Sequence, residues 1–445
     1  MKDMKLCITG SFGNHDIGDE AMLTVVLDFL ISDCGIPRNN IDLFGWQPDY
    51  MSWFHKHPIE NCHRDSLLSD LMKWETDQVR IQEKQKQEEA ALRRLRTCWS
   101  YRIKSLVRAP LHAIKRTWQA PQTTTTPSTT SNGSTEANLE PIKQIVDHCD
   151  GLVVTGGGTI NTRDKKGASI HRMAGLTASF AKKKKPIFFC AQTIGPLGFY
   201  PSHDRLAKEM IGRADWLFAR DNRYSRRYLE ALGEAPDHFV ETYDDASTLA
   251  YEDASLPQEV VDFLSKRRCI ALNITLYTAD TDQKRYFLAQ LAESLLEKYD
   301  SNLLFVGHTP WDFFTLQGIW DMVDNQYQDR ILVPDTRYWH DTQLKKAISL
   351  CQLAIGGRYH FLVFAGTTDT PFVGMSGIHY SYIKNDGFAR IFGFEDFVLD
   401  ERRTWDLDCV LATAEKAMET EFDITNRLER PSPTMKALQK WLSGI

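Results

Sequence analysis

The chain has 445 residues, a formal net charge of −6 at pH 7, 42% hydrophobic and 25% charged residues. That length exceeds what one hydrophobic core usually organises, so two domains are expected, and the balance excludes fibrous and wholly disordered classes. No apolar run is long enough to span a bilayer, and Met1 leads into a strand over 5–9 with no apolar signal core, so a cytoplasmic address is expected.

The strand over 5–9 runs into Gly10-Ser-Phe-Gly13-Asn14-His15-Asp16-Ile-Gly18-Asp19-Glu20, and a helix follows with apolar positions Met22, Val25, Val26, Phe29 and Leu30. This is a glycine-rich loop feeding a helix that Asp19 is expected to cap, as in the first βα turn of a doubly wound domain. It is not G-x-G-x-x-G, so a dinucleotide gains little support. The carboxylates of Asp16, Asp19 and Glu20 suit hydroxyl groups better than phosphate.

Residues 66–140 read as an insertion. A charged, Gln-rich helix covers 73–96, and residues 90–135 contain no Asp or Glu while Arg93, Arg94, Arg96, Arg102, Lys104, Arg108, Lys115 and Arg116 supply positive charge. Trp99, Tyr101, Ile103, Leu106 and Trp118 are interleaved with them, the mix of a helix lying on an anionic membrane surface, so peripheral membrane contact is expected through 93–118. A partner protein or a nucleic acid is the competing reading of that stretch, and no nucleic-acid role is adopted. The Thr- and Ser-rich segment 122–138 reads as a disordered linker.

From 142 the α/β pattern resumes, with a strand over 151–155, a Gly156-Gly157-Gly158 turn, strands over 186–192, 216–219 and 239–242, and a helix over 224–232. Arg220-Asp221 and Asp244-Asp245 follow strand ends, and Asp221 is expected to cap the helix at Tyr224. A second unit starts near Cys269, with strands over 269–274, 302–306, 331–333, 353–355 and 372–374. A helix over 433–442 closes the chain and is expected to dock back on the first unit.

The fold class is therefore α/β, two Rossmann-like domains facing a central cleft in the GT-B manner. The N-terminal domain takes 1–65 and 141–260, the insertion 66–140, the C-terminal domain 261–430 and a last helix 431–445. In the second domain a strand ends at Ile355, turns at Gly356-Gly357 and enters a helix over 360–365. Arg358, Tyr359 and His360 stand where that helix leaves backbone N–H groups unpaired, which is a place for an anion. The nine cysteines show no C-x-x-C pair and no metal-ligand spacing, so reduced cysteines, no metal and no cofactor are expected.

Along nearly the whole chain outside the insertion the sequence resembles the polysaccharide pyruvyltransferase family. The motifs are Gly13-Asn14-x-x-x-Gly18-Asp19-Glu20-Ala21, Gly156-Gly157-Gly158, Gln192-x-x-Gly195-Pro196-Leu197, Arg220-Asp221-x-x-x-Ser225, Asp244-x-Ala246, Gly357-Arg358-Tyr359-His360 and Tyr382-x-Lys384. The family's usual Arg-Leu-His stands here as Arg358-Tyr359-His360, a change expected to alter only a packing contact. The resemblance implies a transferase that moves pyruvate as a ketal from phosphoenolpyruvate to a sugar of a polysaccharide or its lipid-linked precursor.

On that reading His360 is the general acid/base. Arg220, Arg358, Tyr359 and Lys384 bind the donor, and Asn14, Asp19 and Glu20 bind the acceptor. The alternative is a GT-B glycosyltransferase using a nucleotide sugar. It is disfavoured because residues 356–366 hold no acid to grip a ribose.

Overall fold

A computed structural model describes residues 2–64, 140–221, 223–233, 239–400 and 406–445. The chain divides into two units, residues 1–65 with 143–445, and residues 66–142. The expected basic helix, the membrane contact through 93–118 and the Thr/Ser-rich linker lie outside the described residues.

Two parallel sheets form the larger unit. The first contains β1 (Leu6–Thr9), β2 (Ile41–Gly45), β3 (Cys62–Arg64), β4 (Gly151–Val154), β5 (Gly157–Ile160), β6 (Ile187–Ile194), β7 (Trp216–Ala219) and β8 (Phe239–Glu241), in the order β3-β2-β1-β4-β6-β7-β8 with β5 pairing β6. The second contains β9 (Cys269–Asn273), β10 (Asn302–Phe305), β11 (Ile331–Leu332), β12 (Leu353–Gly356), β13 (Phe372–Ser376) and β14 (Val398–Asp400), in the order β11-β10-β9-β12-β13-β14. Strands such as β1, β4, β6, β9, β10 and β12 are buried along their whole length, as strands covered by helices on both faces must be.

Each sheet winds outward in both directions from a central pair, β1 with β4 and β9 with β12. At such a switch point the connections leave to opposite faces and open a crevice beyond the carboxyl ends of the strands. The loop Gly10–Asp16 follows β1, and Gly357–Arg358 follows β12, so both sequence-read loops stand at switch points. The two halves touch there: the Ile17 N–H donates to the His308 carbonyl at 3.0 Å, and the Thr24 hydroxyl donates to Asp341 at 2.6 Å.

Several local expectations change. Asp16 rather than Asp19 caps the first helix, Ile17–Asp28, by accepting from the Gly18 N–H at 3.1 Å. The glycine run read as a turn opens into β5, and Gly157 enters it at a φ of 149°, a backbone state that side chains rarely permit. Strands β2, β3 and β14 go beyond the sequence reading; β3 and β14 have three residues each, too few to show a period. The closing helix Pro433–Leu442 does dock on the first sheet, with Trp441 against Phe188 at 5.5 Å between ring centroids. Among the described residues no helix is long and apolar enough to cross a membrane.

Candidate active site

The helix Tyr359–Gly366 is buried at every position, an apolar plug whose first turn alone carries polar chemistry. Arg358 is its N-cap, held by a hydrogen bond from its own N–H to the Asn273 side chain at 3.1 Å. The guanidinium then forks onto Asp312, Nε at 2.8 Å and Nη2 at 2.7 Å, and Nη2 also reaches the Thr309 hydroxyl at 3.1 Å. Its remaining nitrogen lies 3.6 Å from Asp16 across the cleft. Bidentate pairing fixes the plane of the guanidinium, so Arg358 presents a rigid positive edge to the cleft.

In the same first turn, His360 packs on Gly18 of the opposite half. A Cβ at Gly18 would fall 2.1 Å from the His360 Nδ1, so glycine is required there for the imidazole to enter. The other nitrogen, Nε2, is 3.5 Å from Arg220 Nη1 and 3.7 Å from Asp244 Oδ2. Arg220 and Asp244 form a buried ion pair beneath it, and Arg220 Nε donates to the Thr193 hydroxyl at 2.9 Å. Burial alone would raise the Asp244 carboxyl, but the charges of Arg220 and His360 outweigh it and hold it well below the usual carboxylate range.

Asp16 and Asp19 border the imidazole from the first half. Burial works against the Asp16 charge, yet Arg358, His308 and His360 keep its carboxyl lowered. For Asp19, burial and the Asp16 charge outweigh the lowering by His360, Lys384 and Arg220 and push it up to about 7. Lys384, on the helix His379–Ile391, is pulled down to about 7 by burial and by Arg220. Its ammonium lies 4.3 Å from the Tyr380 ring centroid and 5.6 Å from that of Tyr359, and the Tyr380 hydroxyl reaches the Gly158 carbonyl at 3.0 Å. A group that is half protonated near neutrality can both give and take a proton, and Asp19 stands beside His360 with Lys384 in the field of Asp19.

The predicted residues Arg220, Arg358, Tyr359, His360, Lys384, Asn14 and Asp19 therefore converge, but not all in the expected manner. Glu20 is corrected: it is fully buried, accepting from the Gly13 N–H at 2.7 Å and facing His55 at 2.8 Å, with no oxygen turned to the cleft. Burial raises its carboxyl well above the ordinary range, and its hydrogen bonds brace the loop. Arg220 is corrected as well, since a side chain only 1% exposed acts beneath the cleft rather than on a ligand in it. Tyr359 is a buried platform, with the Arg220 guanidinium 4.3 Å from its ring centroid. Asp221 caps as expected, taking the Tyr224 N–H at 2.6 Å.

Sequence reasoning missed Asp312 and Tyr380, and assigned no role to Asp244. Asp312 is marked locally only as the N3 acid of the Thr309-x-x-Asp312 capping box, and its pairing with Arg358 is signalled only by the rule that a buried arginine must find an anion. Asp16, Asp19 and His360 each turn one ligand-type atom to within 4.8 Å of the others, so they could hold a cation. The charges of Lys384 and Arg358 also act on those carboxylates.

Residues 17–379 match the profile of the polysaccharide pyruvyl transferase family. No curated protein sequence matches. Among solved structures the chain is similar to the UDP-GlcNAc 2-epimerase of Methanocaldococcus jannaschii in complex with UDP-GlcNAc and UDP, at a TM-score of 0.54 and 10% identity, over 99% of this chain and 100% of that one. It is similar also to UDP-N-acetylglucosamine 2-epimerase from Rickettsia bellii, at 0.52 and 12%, over 99% and 96%. The epimerase of Neisseria meningitidis bound to UDP-GlcNAc follows at 0.51 and 10%, over 99% and 100%. Such identities show the shared two-domain fold alone.

Proposed function

We infer the reaction from the premise that this chain belongs to the polysaccharide pyruvyl transferase family and is a transferase acting in pyruvate transfer to polysaccharide. The donor in our reading is phosphoenolpyruvate, and the acceptor two hydroxyls of one sugar in a glycan or its lipid-linked precursor. The observation that carries this reading is the position of His360, between a buried Arg220–Asp244 pair on one side and Asp16 and Asp19 on the other, with Lys384 and Arg358 at the rim.

Phosphoenolpyruvate is small and carries close to three negative charges. Lys384, the cleft-facing nitrogen of Arg358 and the first turns of the helices Ile17–Asp28 and Tyr359–Gly366 supply the matching field. His360 gives a proton to the methylene carbon, which leaves C2 cationic. One sugar hydroxyl oxygen bonds to C2 and its proton passes to Asp19. The C2–O bond to phosphate then breaks, the second hydroxyl closes the ring on C2, and its proton returns to His360. Phosphate leaves with the proton from Asp19, so both residues are restored. Arg220 is a positioning residue for His360, and Asn14, 3.4 Å from Asp19, helps hold the acceptor. The reaction takes place in the cytoplasm on this reading, with residues 93–118 lending contact to the inner membrane face.

The test is thermal stabilisation by phosphoenolpyruvate set against UDP-, GDP- and CMP-sugars, on the wild type and on Arg358→Ala and Lys384→Ala. Stabilisation by phosphoenolpyruvate alone, reduced in both variants, is expected. Stabilisation by a nucleotide sugar instead would assign the glycosyltransferase reading.

A further inference from the structure

Away from the cleft, on the first sheet, Asp42 of β2 gathers three side chains with ligand-type atoms, and the Asn61 amide also donates to its Oδ1 at 3.4 Å. Its Oδ1 faces His63 Nε2 of β3 at 2.7 Å, and its Oδ2 faces His148 Nε2 at 2.6 Å and the Cys149 thiol at 3.5 Å. The carboxylate is only 7% exposed, and Cys149 is fully buried. The ligand atoms of Asp42, His148 and Cys149 lie within 4.8 Å of one another. Carboxylate, imidazole and thiol oriented to one point make a donor set for a thiophilic divalent cation, not for magnesium or calcium.

The decisive detail is at His148. Its Nδ1 lies 2.8 Å from the Gln144 carbonyl of the same helix, an acceptor that can be answered only by an N–H. A neutral imidazole committed in that way turns an unprotonated Nε2 toward a carboxylate oxygen, lone pair against lone pair. Either a second proton or a metal ion must stand between them. A ring whose far nitrogen donates to a backbone carbonyl, leaving Nε2 as the ligand atom, is the usual outer-shell arrangement of a metal-bound histidine.

We propose that Asp42, His148 and Cys149 bind a zinc-class divalent cation, while His63 on the other carboxylate oxygen holds Asp42 in orientation. Zinc–nitrogen and zinc–sulfur lengths of about 2.0 and 2.3 Å imply ligand separations of roughly 3.3–3.8 Å in a tetrahedron. Cys149 already stands at that spacing from Asp42, and His148 must withdraw by roughly 1 Å, for which its 41% exposed side chain has room. Binding exchanges the thiol proton and the imidazole N–H bonds for metal bonds, leaving the carboxylate as it is. The ion ties β2 to the C-terminal end of the helix Glu140–His148.

The test uses the full chain, freed of metal by chelation and titrated with cobalt(II), then with zinc. The expected result is one equivalent of cobalt with a thiolate charge-transfer absorption and the visible bands of tetrahedral cobalt, displaced by zinc, with a rise in melting temperature. Cys149→Ser should abolish the charge-transfer band while its metal-free melting temperature matches wild type. His148→Gln, on a partly exposed side chain, should keep the band but weaken binding by more than the roughly 10–100-fold that loss of an outer-shell partner costs. Absence of a thiolate band in the wild type would overturn the proposal and assign the cluster to hydrogen bonding by a protonated imidazole. A band unchanged in Cys149→Ser would overturn it too, by moving the site to another cysteine.

Discussion

Arg220 and His360, 140 residues apart in the chain, stand 3.5 Å apart from Nη1 to Nε2 and share the carboxylate of Asp244. Arg220 follows a strand of the first sheet and His360 opens a helix of the second. The proposed acid/base is thus aligned only when both halves are docked, and its orientation depends on an ion pair that belongs to one half. Four predictions rest on that arrangement.

His360→Ala removes the proposed proton carrier from a helix that is otherwise apolar. Phosphate release from phosphoenolpyruvate, followed with a panel of glycoside acceptors, should fall by about 10²–10⁴-fold. Donor-induced thermal stabilisation should survive. A protein that fails to fold would instead identify His360 as a packing residue.

Gly18→Ala leaves every charge in place and adds one methyl 2.1 Å from the His360 Nδ1. The imidazole must move, so turnover should drop nearly as far as in His360→Ala, in kcat more than in KM, since effective catalysis requires reacting groups held in narrow geometry. Retention of full kcat would show that the imidazole need not sit on the first helix.

Asp244→Asn uncovers a buried guanidinium. Removing one partner of such a pair costs about 3–5 kcal/mol, and the double variant with Arg220→Met should recover part of that loss. The Asp244 carboxyl titrates lower in the folded than in the unfolded chain, where its value is near 3.8. Its contribution is therefore complete above that pH and is lost as pH falls through the folded value, so acid unfolding of the wild type should steepen below about pH 4 while Asp244→Asn loses this component. Denaturant melts at several pH values read this out.

Asp19 has the opposite sign. Its folded value is pushed up from 3.8 to about 7, so the native state holds a proton that the unfolded chain releases, and stability falls as pH rises between those limits. Asp19→Asn should raise the melting temperature at neutral pH, with the gain vanishing near pH 4. Over the same range the wild type's turnover should respond to pH more steeply than the variant's residual rate. Equal melting temperatures at every pH would mean that Asp19 is solvated and unperturbed.

The helix carrying Arg358, Tyr359 and His360 was legible because an apolar run cannot place charged residues inside itself. A cation and an imidazole at its first turn, after a buried strand and two glycines, had to face a crevice. The two-sheet architecture was legible for the same reason, through continuous apolar strands separated by helical periods. The roles of Asp19 and Glu20 were not. Neighbours on a helix point roughly 100° apart, so only one of them can face the cleft, and the spacing alone does not say which.

Sequence by itself therefore determined the elements, the cleft-facing loops and the chemical types gathered at them, because burial and helix-end chemistry are local. Tertiary structure decided which charges neutralise each other. Asp244 beneath Arg220, Asp312 beneath Arg358 and Asp42 between two histidines come from separate strands and helices, and Coulomb partners are set by distance in space, of which separation along the chain carries no record.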